Sequence, residues 1–134
     1  VQVPHYNYVG DAVLGYNPIW VQVHLFNVKS DKKLVVVKDG DEKIETGLKK
    51  FGAMLGDNVE VGCGSVLNPG TVIGRCCNIY PLSSVRGCVP ANHIYKSKTE
   101  IAEKEVENIE EAGCMKDIIS IIQPALLYFY VCLR

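Results

Sequence analysis

Aliphatic residues recur at every sixth position between Leu55 and Pro90. The segment divides without a gap into six hexapeptides, LGDNVE, VGCGSV, LNPGTV, IGRCCN, IYPLSS and VRGCVP. The first position is always aliphatic, and the fifth always carries a small or β-branched residue, namely Val59, Ser65, Thr71, Cys77, Ser83 and Val89. Because helices repeat about every 3.6 residues and isolated strands about every 2, this period indicates short strands that turn a corner every six residues. The repeat predicts an all-β fold, a single-stranded parallel β-helix whose stacked coils form a three-sided prism.

Glycine follows the aliphatic residue in three of the hexapeptides, at Gly56, Gly62 and Gly74. We interpret these glycines as corner residues that need a positive φ, which a Cβ atom disfavours. The alternative is a β-sandwich of ordinary short strands with Gly and Pro turns. Because sandwich strands vary in length, their turns would not hold one register through six units, and the β-helix is favoured.

The same pattern is weaker at the N-terminal end. The segments 8–13 and 14–19 are in register, with Tyr8 and Leu14 at first positions. The segment 20–25 keeps the spacing, but Trp20 is bulky and His24 stands where a small residue is expected. We therefore expect this segment to form the poorest face of any coil.

Residues 28–50 interrupt the repeat with a dense cluster of charges. Within this segment, the apolar run 34–37 and the segment 43–46 are typical of two strands joined by a tight turn at Asp39-Gly40-Asp41. The pattern predicts a β-hairpin excursion that projects from one corner of the prism. A solvated loop without regular structure is the alternative.

The periodicity stops at Ser97. Ile101 and Ile109 would lie on one face of a helix that Thr99 caps and Gly113 ends. The apolar stretch 118–133 is interrupted by a proline and is short for a membrane span, which needs about 20 residues. The sequence therefore predicts a β-helix domain at 1–96 and a helical tail at 97–134 that covers the open end of the prism.

Composition narrows the possible functions. The 134 residues (14.8 kDa) suffice for one domain, and a net charge of -1 with an isoelectric point near 6.3 does not suggest binding to nucleic acid or an anionic membrane. No basic segment precedes an apolar stretch at Val1, so no signal peptide is expected. The six cysteines form no CxxC pair, which favours reduced thiols in the cytoplasm over disulfides or a metal site.

Four segments of the sequence are similar to a known family: His5-Tyr6-Asn7-Tyr8-Val9-Gly10-Asp11, Leu14-Gly15, Asn27 and the run 52–96. The chain resembles the left-handed β-helix acetyltransferase domain at the C-terminus of sugar-1-phosphate nucleotidylyltransferases, especially the proteins related to UDP-N-acetylglucosamine pyrophosphorylase. The segments GAMLGDNVEVG, VLNPGTVIG and IYPLSSVRG are the most specific to that group. The resemblance implies left-handed winding and a homotrimer, without a pyrophosphorylase domain in this chain.

The resemblance also implies a reaction. Members of this group transfer acetyl from acetyl-CoA to the amine of an amino-sugar 1-phosphate, as in UDP-N-acetylglucosamine synthesis. The histidine of their first motif, here His5, is the general base. An attacking amine must lose a proton, and an imidazole with an ordinary pKa of about 6.5 can take it near neutral pH. A solvent-exposed histidine without a role is the alternative.

Substrate contacts are implied in the same way. Tyr8 would contact the amino sugar, Asn27 would hydrogen-bond its hydroxyl or acetamido side, and Lys33 would hold the phosphate. Cys63 and Pro81 match positions that line the groove for acetyl-CoA between neighbouring subunits, although less closely. The alternatives are structural: Tyr8 fills a core position, Asn27 turns the corner into the hairpin, and Lys33 is one more solvated lysine.

The chain departs from the family at residues 19–26. The family reads about N-L-G-A-G-T where this chain has Ile19-Trp20-Val21-Gln22-Val23-His24. We expect bulky Trp20 and Gln22 to lie beside the thioester and obstruct acetyl-CoA. The sequence therefore leaves two further functions open. One is a non-catalytic β-helix module that trimerises or regulates a separate nucleotidyltransferase chain, and the other is an inactive fragment of such an enzyme.

Overall fold

The computed structural model describes residues 5–104, and this part of the chain consists of strands, turns and loops without a helix. In chain order the strands are β1 (Tyr8–Val9), β2 (Val13–Leu14), β3 (Ile19–Trp20), β4 (His24–Leu25), β5 (Val36–Asp39), β6 (Glu42–Glu45), β7 (Met54–Leu55), β8 (Glu60–Val61), β9 (Val66–Leu67), β10 (Val72–Ile73), β11 (Asn78–Ile79), β12 (Ser84–Val85), β13 (Cys88–Val89), β14 (His93–Ser97) and β15 (Glu100–Glu103). Most strands are two residues long because the chain turns a corner after each of them. The all-β prediction is confirmed.

Three parallel sheets form the faces of a prism. The first face contains β1, β4, β9 and β12, the second β2, β7, β10 and β13, and the third β3, β8, β11 and β14. The chain visits the three faces in turn, so each circuit adds one coil. Val61 pairs with Ile79, a full circuit apart. This is the stacking that the hexapeptide repeat predicts for a parallel β-helix, and left-handed winding stays a prediction of the resemblance.

Two positions of each face fill the interior of the prism. The first is the usually aliphatic residue at the end of each two-residue strand, which stacks on its equivalent in the next coil as Leu67 does on Val85; we call these column residues. The second is the residue two positions before each column residue, which also points inward. Several of these second positions carry hydroxyl groups. Thr71 Oγ1 donates to the carbonyl of Val85 at 3.1 Å, and Ser83 Oγ donates to the carbonyl of Tyr80 at 2.6 Å. The buried hydroxyls therefore cost little, because each has a backbone acceptor.

The register of the first coil differs from the prediction. Val9, not Tyr8, pairs with Leu25 in the column of the first face, and Tyr8 points outward with 45% of its surface exposed. The column residues of the third and first faces, Trp20 and Leu25, are here five positions apart instead of six, so Val23 fills the small inward position and His24 is exposed. The prediction that His24 occupies an inward position is therefore wrong.

The last coil also contains a shortened face. Val85 lies in β12 of the first face, and Val89 already lies in β13 of the second face, where it pairs with Ile73. Val89 thus occupies a column position rather than the predicted fifth position. Gly87 between them has φ 83°, a conformation that glycine adopts without strain and that permits the tighter corner.

Close approach between coils explains the repeated glycines. A Cβ atom on Gly56, Gly62 or Gly74 would lie 2.7, 2.4 or 2.4 Å from a backbone nitrogen of the coil above, at Arg75, Pro81 or Ala91 respectively. None of the three glycines has a positive φ; that conformation falls on other corner residues, such as Asn58 and Leu82. Our interpretation of these glycines through positive φ is therefore wrong, since what they require is the absence of a side chain.

The predicted hairpin excursion is present. Strands β5 and β6 pair antiparallel, with Lys38 opposite Lys43 and Asp39 opposite Glu42. The hairpin is packed against the prism, because Val35 and Val37 are fully buried in a second hydrophobic cluster. The other buried members of this cluster are Phe51, Met54 and Val72. The alternative of a solvated loop is excluded.

The predicted helix from Thr99 is wrong where the structure describes it. Residues 100–103 form β15, which pairs antiparallel with β14 and extends the third face. The edge of β14 has N–H and C=O groups that need partners, and β15 supplies them. The Lys96 and Glu100 side chains reinforce this pairing with an ion pair at 3.2 Å. The rest of the predicted tail lies outside the described residues, and within 5–104 no helix could cross a membrane.

Candidate functional site

Tyr8 and Asn27 meet on the outer surface of the first face. The Tyr8 hydroxyl donates to Asn27 Oδ1 at 3.5 Å, and Asn27 Nδ2 donates to Asp11 Oδ2 at 2.6 Å. A Cβ atom on Gly10 would lie 2.9 Å from both the Asn27 amide and the Tyr8 hydroxyl oxygen. Gly10 therefore leaves the space in which these side chains converge. We call Tyr8, Asp11 and Asn27 the polar cluster; it is open to solvent and offers donors and acceptors to a polar ligand.

Two further rings extend the surface next to the polar cluster. His24 pairs with Tyr8 across β4 and β1. The Phe26 ring lies 6.1 Å from the Tyr8 ring and is stacked on the His24 ring at 6.0 Å between centroids. Neither His24 nor Phe26 was predicted to have a role, because the hexapeptide repeat does not reveal the shortened face that turns both side chains outward.

The structure does not bring His5 into the polar cluster. Its ring contacts the Tyr6 ring at 6.3 Å, and its carbonyl accepts a weak hydrogen bond from Asn7 Nδ2 at 3.5 Å. Asn7 Oδ1 in turn accepts from the Val23 N–H at 2.7 Å, which ties the entry of the chain to the corner between the third and first faces. Among residues 5–104, no hydrogen bond or ring contact joins His5 to Tyr8.

Lys33 lies in the exposed connection that leads into the hairpin, and among residues 5–104 no hydrogen bond or ion pair joins it to the polar cluster. Its backbone N–H donates to Asp31 Oδ1 at 3.1 Å, and Lys29 Nζ lies 3.4 Å from Asp31 Oδ2. The N–H of Lys33, followed by the Lys29 ammonium, lowers the pKa of Asp31. Asp31 is therefore a paired carboxylate at neutral pH, while the Lys33 side chain remains available to an anion.

Cys63 and Pro81 meet at the corner between the third and first faces. The carbonyl of Cys63 accepts the N–H of Leu82 at 2.9 Å, and Gly62 lies directly against Pro81. The N–H of Gly64 donates to the carbonyl of Gln22 at 2.9 Å, so the first coil belongs to the same corner. The chain crosses this same corner between His5 and β1. Cys63 and Pro81 are both exposed there.

Alkylation should distinguish the exposed Cys63 from the buried Cys77 by their extent of modification. At about pH 8, near the pKa of an ordinary thiol, iodoacetamide is expected to modify Cys63 and leave Cys77 intact. Cys77 is buried, burial raises the pKa of its thiol, and Sγ donates to the carbonyl of Pro90 at 2.9 Å. Peptide mapping by mass spectrometry checks the result, with urea-unfolded chain as control. Equal modification of both cysteines in the folded chain would contradict it.

The predicted obstruction by residues 20–22 is not what the structure shows for Trp20. Its side chain is only 1% exposed and packs inside the prism with Val61 and other core residues. The indole Nε1 has no hydrogen-bond partner among the described residues. Gln22 has φ 55° and is exposed at the corner next to Cys63. The prediction that Trp20 blocks the surface is therefore wrong, whereas Gln22 does lie at that corner.

A cleft of about 850 Å³ lies between the hairpin and the first face. We call it the cationic cleft, because its lining includes Lys29, Lys38, Lys43 and Arg86 and only Asp31 as a carboxylate. Its apolar walls include Phe26, so it adjoins the rings beside the polar cluster. This cleft was not predicted; its signal in the sequence is the placement of Lys38 and Lys43 at equal distances from the hairpin turn. Within residues 5–104 no group of three or more His, Cys, Asp or Glu side chains could hold a metal ion.

A parallel β-helix is the fold that the resemblance implies, and comparison with curated proteins finds relatives of the same family. The chain is 32% identical over 96 residues to the bifunctional sugar-1-phosphate nucleotidylyltransferase/acetyltransferase of Sulfurisphaera tokodaii, which is 71% of this chain and 24% of that protein. It is 36% identical over 74 residues to the bifunctional protein GlmU of Methanococcus aeolicus, covering 54% of this chain and 18% of that protein. For GlmU of Methanocaldococcus jannaschii the identity is 32% over 77 residues, with 57% and 19% covered. No family model matches the chain.

These comparisons confirm the resemblance. The homologues of this chain are sugar-1-phosphate nucleotidylyltransferase/acetyltransferase proteins of the GlmU type, and the match lies in their C-terminal acetyltransferase region. The chain spans about a quarter or less of the length of these relatives.

Proposed function

We propose that this chain is an acetyltransferase module that transfers acetyl from acetyl-CoA to the amine of an amino-sugar 1-phosphate. The observation that carries the proposal is the polar cluster. Tyr8 and Asn27, which the resemblance implies as sugar ligands, come from different coils and converge above Gly10. Asp11 fixes the orientation of the Asn27 amide, leaving its carbonyl oxygen directed at the Tyr8 hydroxyl. A sugar hydroxyl can bind between these two groups.

The chemistry of the transfer assigns one role to each group. The sugar amine attacks the thioester carbonyl, and His5 accepts the proton that the amine loses. The tetrahedral intermediate then breaks its C–S bond, and the CoA sulfur takes that proton from the His5 imidazolium and leaves as a thiol. Backbone N–H groups stabilise the oxyanion. Lys33 attracts the sugar phosphate as a point charge. Cys63 and Pro81 lie together at the corner that the chain crosses after His5, which supports a path for the pantetheine arm along that corner.

Several properties of the assembly belong to the same proposal. The winding is left-handed, the chain forms a homotrimer, and it acts in the cytoplasm. Since no hydrogen bond or ring contact joins His5 or Lys33 to Tyr8 among the described residues, a trimer in which neighbouring chains complete the site would bring these groups together. A separate nucleotidyltransferase chain would use the acetylated product.

A thiol-release assay tests the activity. Acetyl-CoA and glucosamine 1-phosphate are mixed with the chain from about pH 6 to 9, a range that includes the pKa of an ordinary imidazole. We expect release of CoA thiol that requires the amino sugar and yields an N-acetylated product by mass spectrometry. Absence of both across this range would refute acetyl transfer to this amino sugar. Galactosamine 1-phosphate as a second acceptor separates a wrong acceptor from an inactive chain.

A non-catalytic module that trimerises or regulates a nucleotidyltransferase is the second candidate. The observation in its favour is that Phe26 and His24 stand close to Tyr8, so a sugar must fit beside two additional rings. This candidate predicts trimers in analytical ultracentrifugation together with no thiol release from any acceptor. An inactive fragment predicts neither trimers nor activity.

A further inference from the structure

The cationic cleft contains more positive charge than its surroundings neutralise. Lys29 is paired with Asp31 at 3.4 Å. Lys38, Lys43 and Arg86 line the same cleft, and within residues 5–104 no carboxylate lies within ion-pair distance of any of the three. Exposed cations elsewhere on a protein are ordinary, but three unpaired cations that face one cavity attract an anion strongly.

The hairpin concentrates this charge on one of its two faces. Lys38 and Lys43 are directly opposite in the β5–β6 register, and like charges in that position destabilise a hairpin. The acidic pair Asp39 and Glu42 lies one step along and therefore on the other face, whereas Glu45, opposite Val36, shares the lysine face but forms no ion pair with either lysine among the described residues. Lysines at positions 38 and 43 thus cost stability in the absence of an anionic ligand.

Packing holds the lysine-bearing strand in place. Val37, next to Lys38, is 1% exposed in the second hydrophobic cluster. At Gly70 a Cβ atom would lie 2.9 Å from the carbonyl oxygen of Val36, so the hairpin lies directly on the prism there. The wall of the cleft that carries the lysines is therefore preorganised toward Arg86.

The size and the walls of the cleft define its ligand. A volume of about 850 Å³ is within the range of about 300–1,000 Å³ that holds small molecules and cofactors, and exceeds what a single phosphate fills. The lysine side chains on the hairpin and Arg86 on the prism suit neighbouring phosphates, and Arg86 can bind two oxygens at once. Phe26, Val36 and Val66 in the same lining suit a flat apolar group. We propose that the cationic cleft binds a diphosphate ester of a nucleoside, with the diphosphate between Lys38, Lys43 and Arg86 and the base against Phe26.

This diphosphate chemistry has two sources: a free nucleotide such as ADP or UDP, or the nucleotide portion of CoA. The binding site does not depend on acetyl transfer, because none of its cations belongs to the proposed catalytic set. A chain that fails to release thiol from acetyl-CoA can therefore still bind the nucleotide.

Calorimetric titration of the full chain with ADP, UDP, CoA and inorganic pyrophosphate tests the proposal. The double variant Lys38→Gln/Lys43→Gln is expected to weaken binding of the nucleotides at least about tenfold, since each lost charge-assisted hydrogen bond contributes this much or more. Its unfolding temperature should stay the same or rise, because the like-charge pair is gone. The control Lys32→Gln/Lys49→Gln removes the same charge outside the cleft and should bind like wild type.

The outcomes distinguish the parts of the proposal. Phe26→Ala should weaken the binding of ADP and UDP but not the binding of pyrophosphate. If the wild-type chain binds ADP, UDP and pyrophosphate with equal affinity, the aromatic subsite is refuted. Tighter binding of CoA than of ADP identifies CoA as the source, and the reverse identifies a free nucleotide. No heat of binding with any of the four probes, or equal loss in both double variants, would overturn the site.

Discussion

Replacing Trp20 with alanine is expected to lower the free energy of unfolding by about 4 kcal/mol, the usual loss when a large aromatic side chain is removed from a core. Trp20 is 1% exposed at the end of the third-face column, where it lies on Val61. In that position the indole fills the interior of the first coil, which has no coil below it among the described residues. Because Trp20 is the single tryptophan of the chain, unfolding in urea should be followed by far-ultraviolet circular dichroism.

Ile19 provides the matched control on the same two-residue strand. Its side chain is 56% exposed on the opposite side of β3, so Ile19→Ala should change the free energy of unfolding by less than about 1 kcal/mol. If Ile19→Ala costs more than Trp20→Ala, the strand has the opposite register. Trp20→Phe should be tolerated much better than alanine, because the ring still fills space and the indole N–H without a described partner is removed.

The main architecture could be predicted because it depends on one strict requirement. Each coil contacts only its neighbours, so the inward residues must recur at equal spacing, and Val61 and Ile79 show the predicted pairing. The departures occur where a face is short. Between Trp20 and Leu25 one residue is missing from the repeat, so the corner residue with positive φ, Gln22, comes two positions after the column residue Trp20, whereas Asn58 comes three positions after Leu55. A sequence read in steps of six cannot show which residue then points inward.

Over residues 100–103, where the structure describes it, the helix predicted from Thr99 is wrong for a different reason. Ile101 and Ile109 fit a helical face, but local periodicity does not include the exposed edge of β14. Pairing along that edge satisfies several backbone groups at once, and Tyr95 pairs with Ile101 in the resulting sheet. Long-range hydrogen bonding outweighs helix propensity in such a short segment, since isolated helices of this length are marginal in water.

The candidate site was only partly predictable. Tyr8 and Asn27 are 19 positions apart, and the resemblance alone suggested that they act together; the structure adds that Asp11 and Gly10 hold them in contact. Charged residues of the hairpin could be seen in the sequence, but not their division between two faces. That division depends on the turn register, which places Lys38 opposite Lys43.

Two exposed imidazoles compete for the role of general base, and their variants have distinct expected results. His5→Ala is expected to reduce kcat of acetyl transfer about 100-fold or more with little change in KM for acetyl-CoA, since general-base catalysis contributes about 10²–10⁴-fold. His24→Ala should change kcat less and KM for the amino sugar more, because His24 stacks on Phe26 beside Tyr8, which is proposed to contact that sugar. Initial rates of thiol release, with acetyl-CoA and the amino sugar each varied while the other is saturating, measure kcat and both KM values.

A larger loss of kcat in His24→Ala than in His5→Ala would identify His24, one coil further along the prism, as the general base. His24 lies directly opposite Tyr8 in the register of the first face, whereas His5 contacts Tyr6 within the described chain. If His24→Ala abolishes kcat and His5→Ala does not, the proton acceptor stands on β4, next to the polar cluster. Circular dichroism of both variants excludes unfolding as the cause, and since both imidazoles are exposed, neither substitution removes a core contact. His5 is the base if a neighbouring chain brings it to Tyr8, and His24 is the base if its position opposite Tyr8 on the shortened face serves instead.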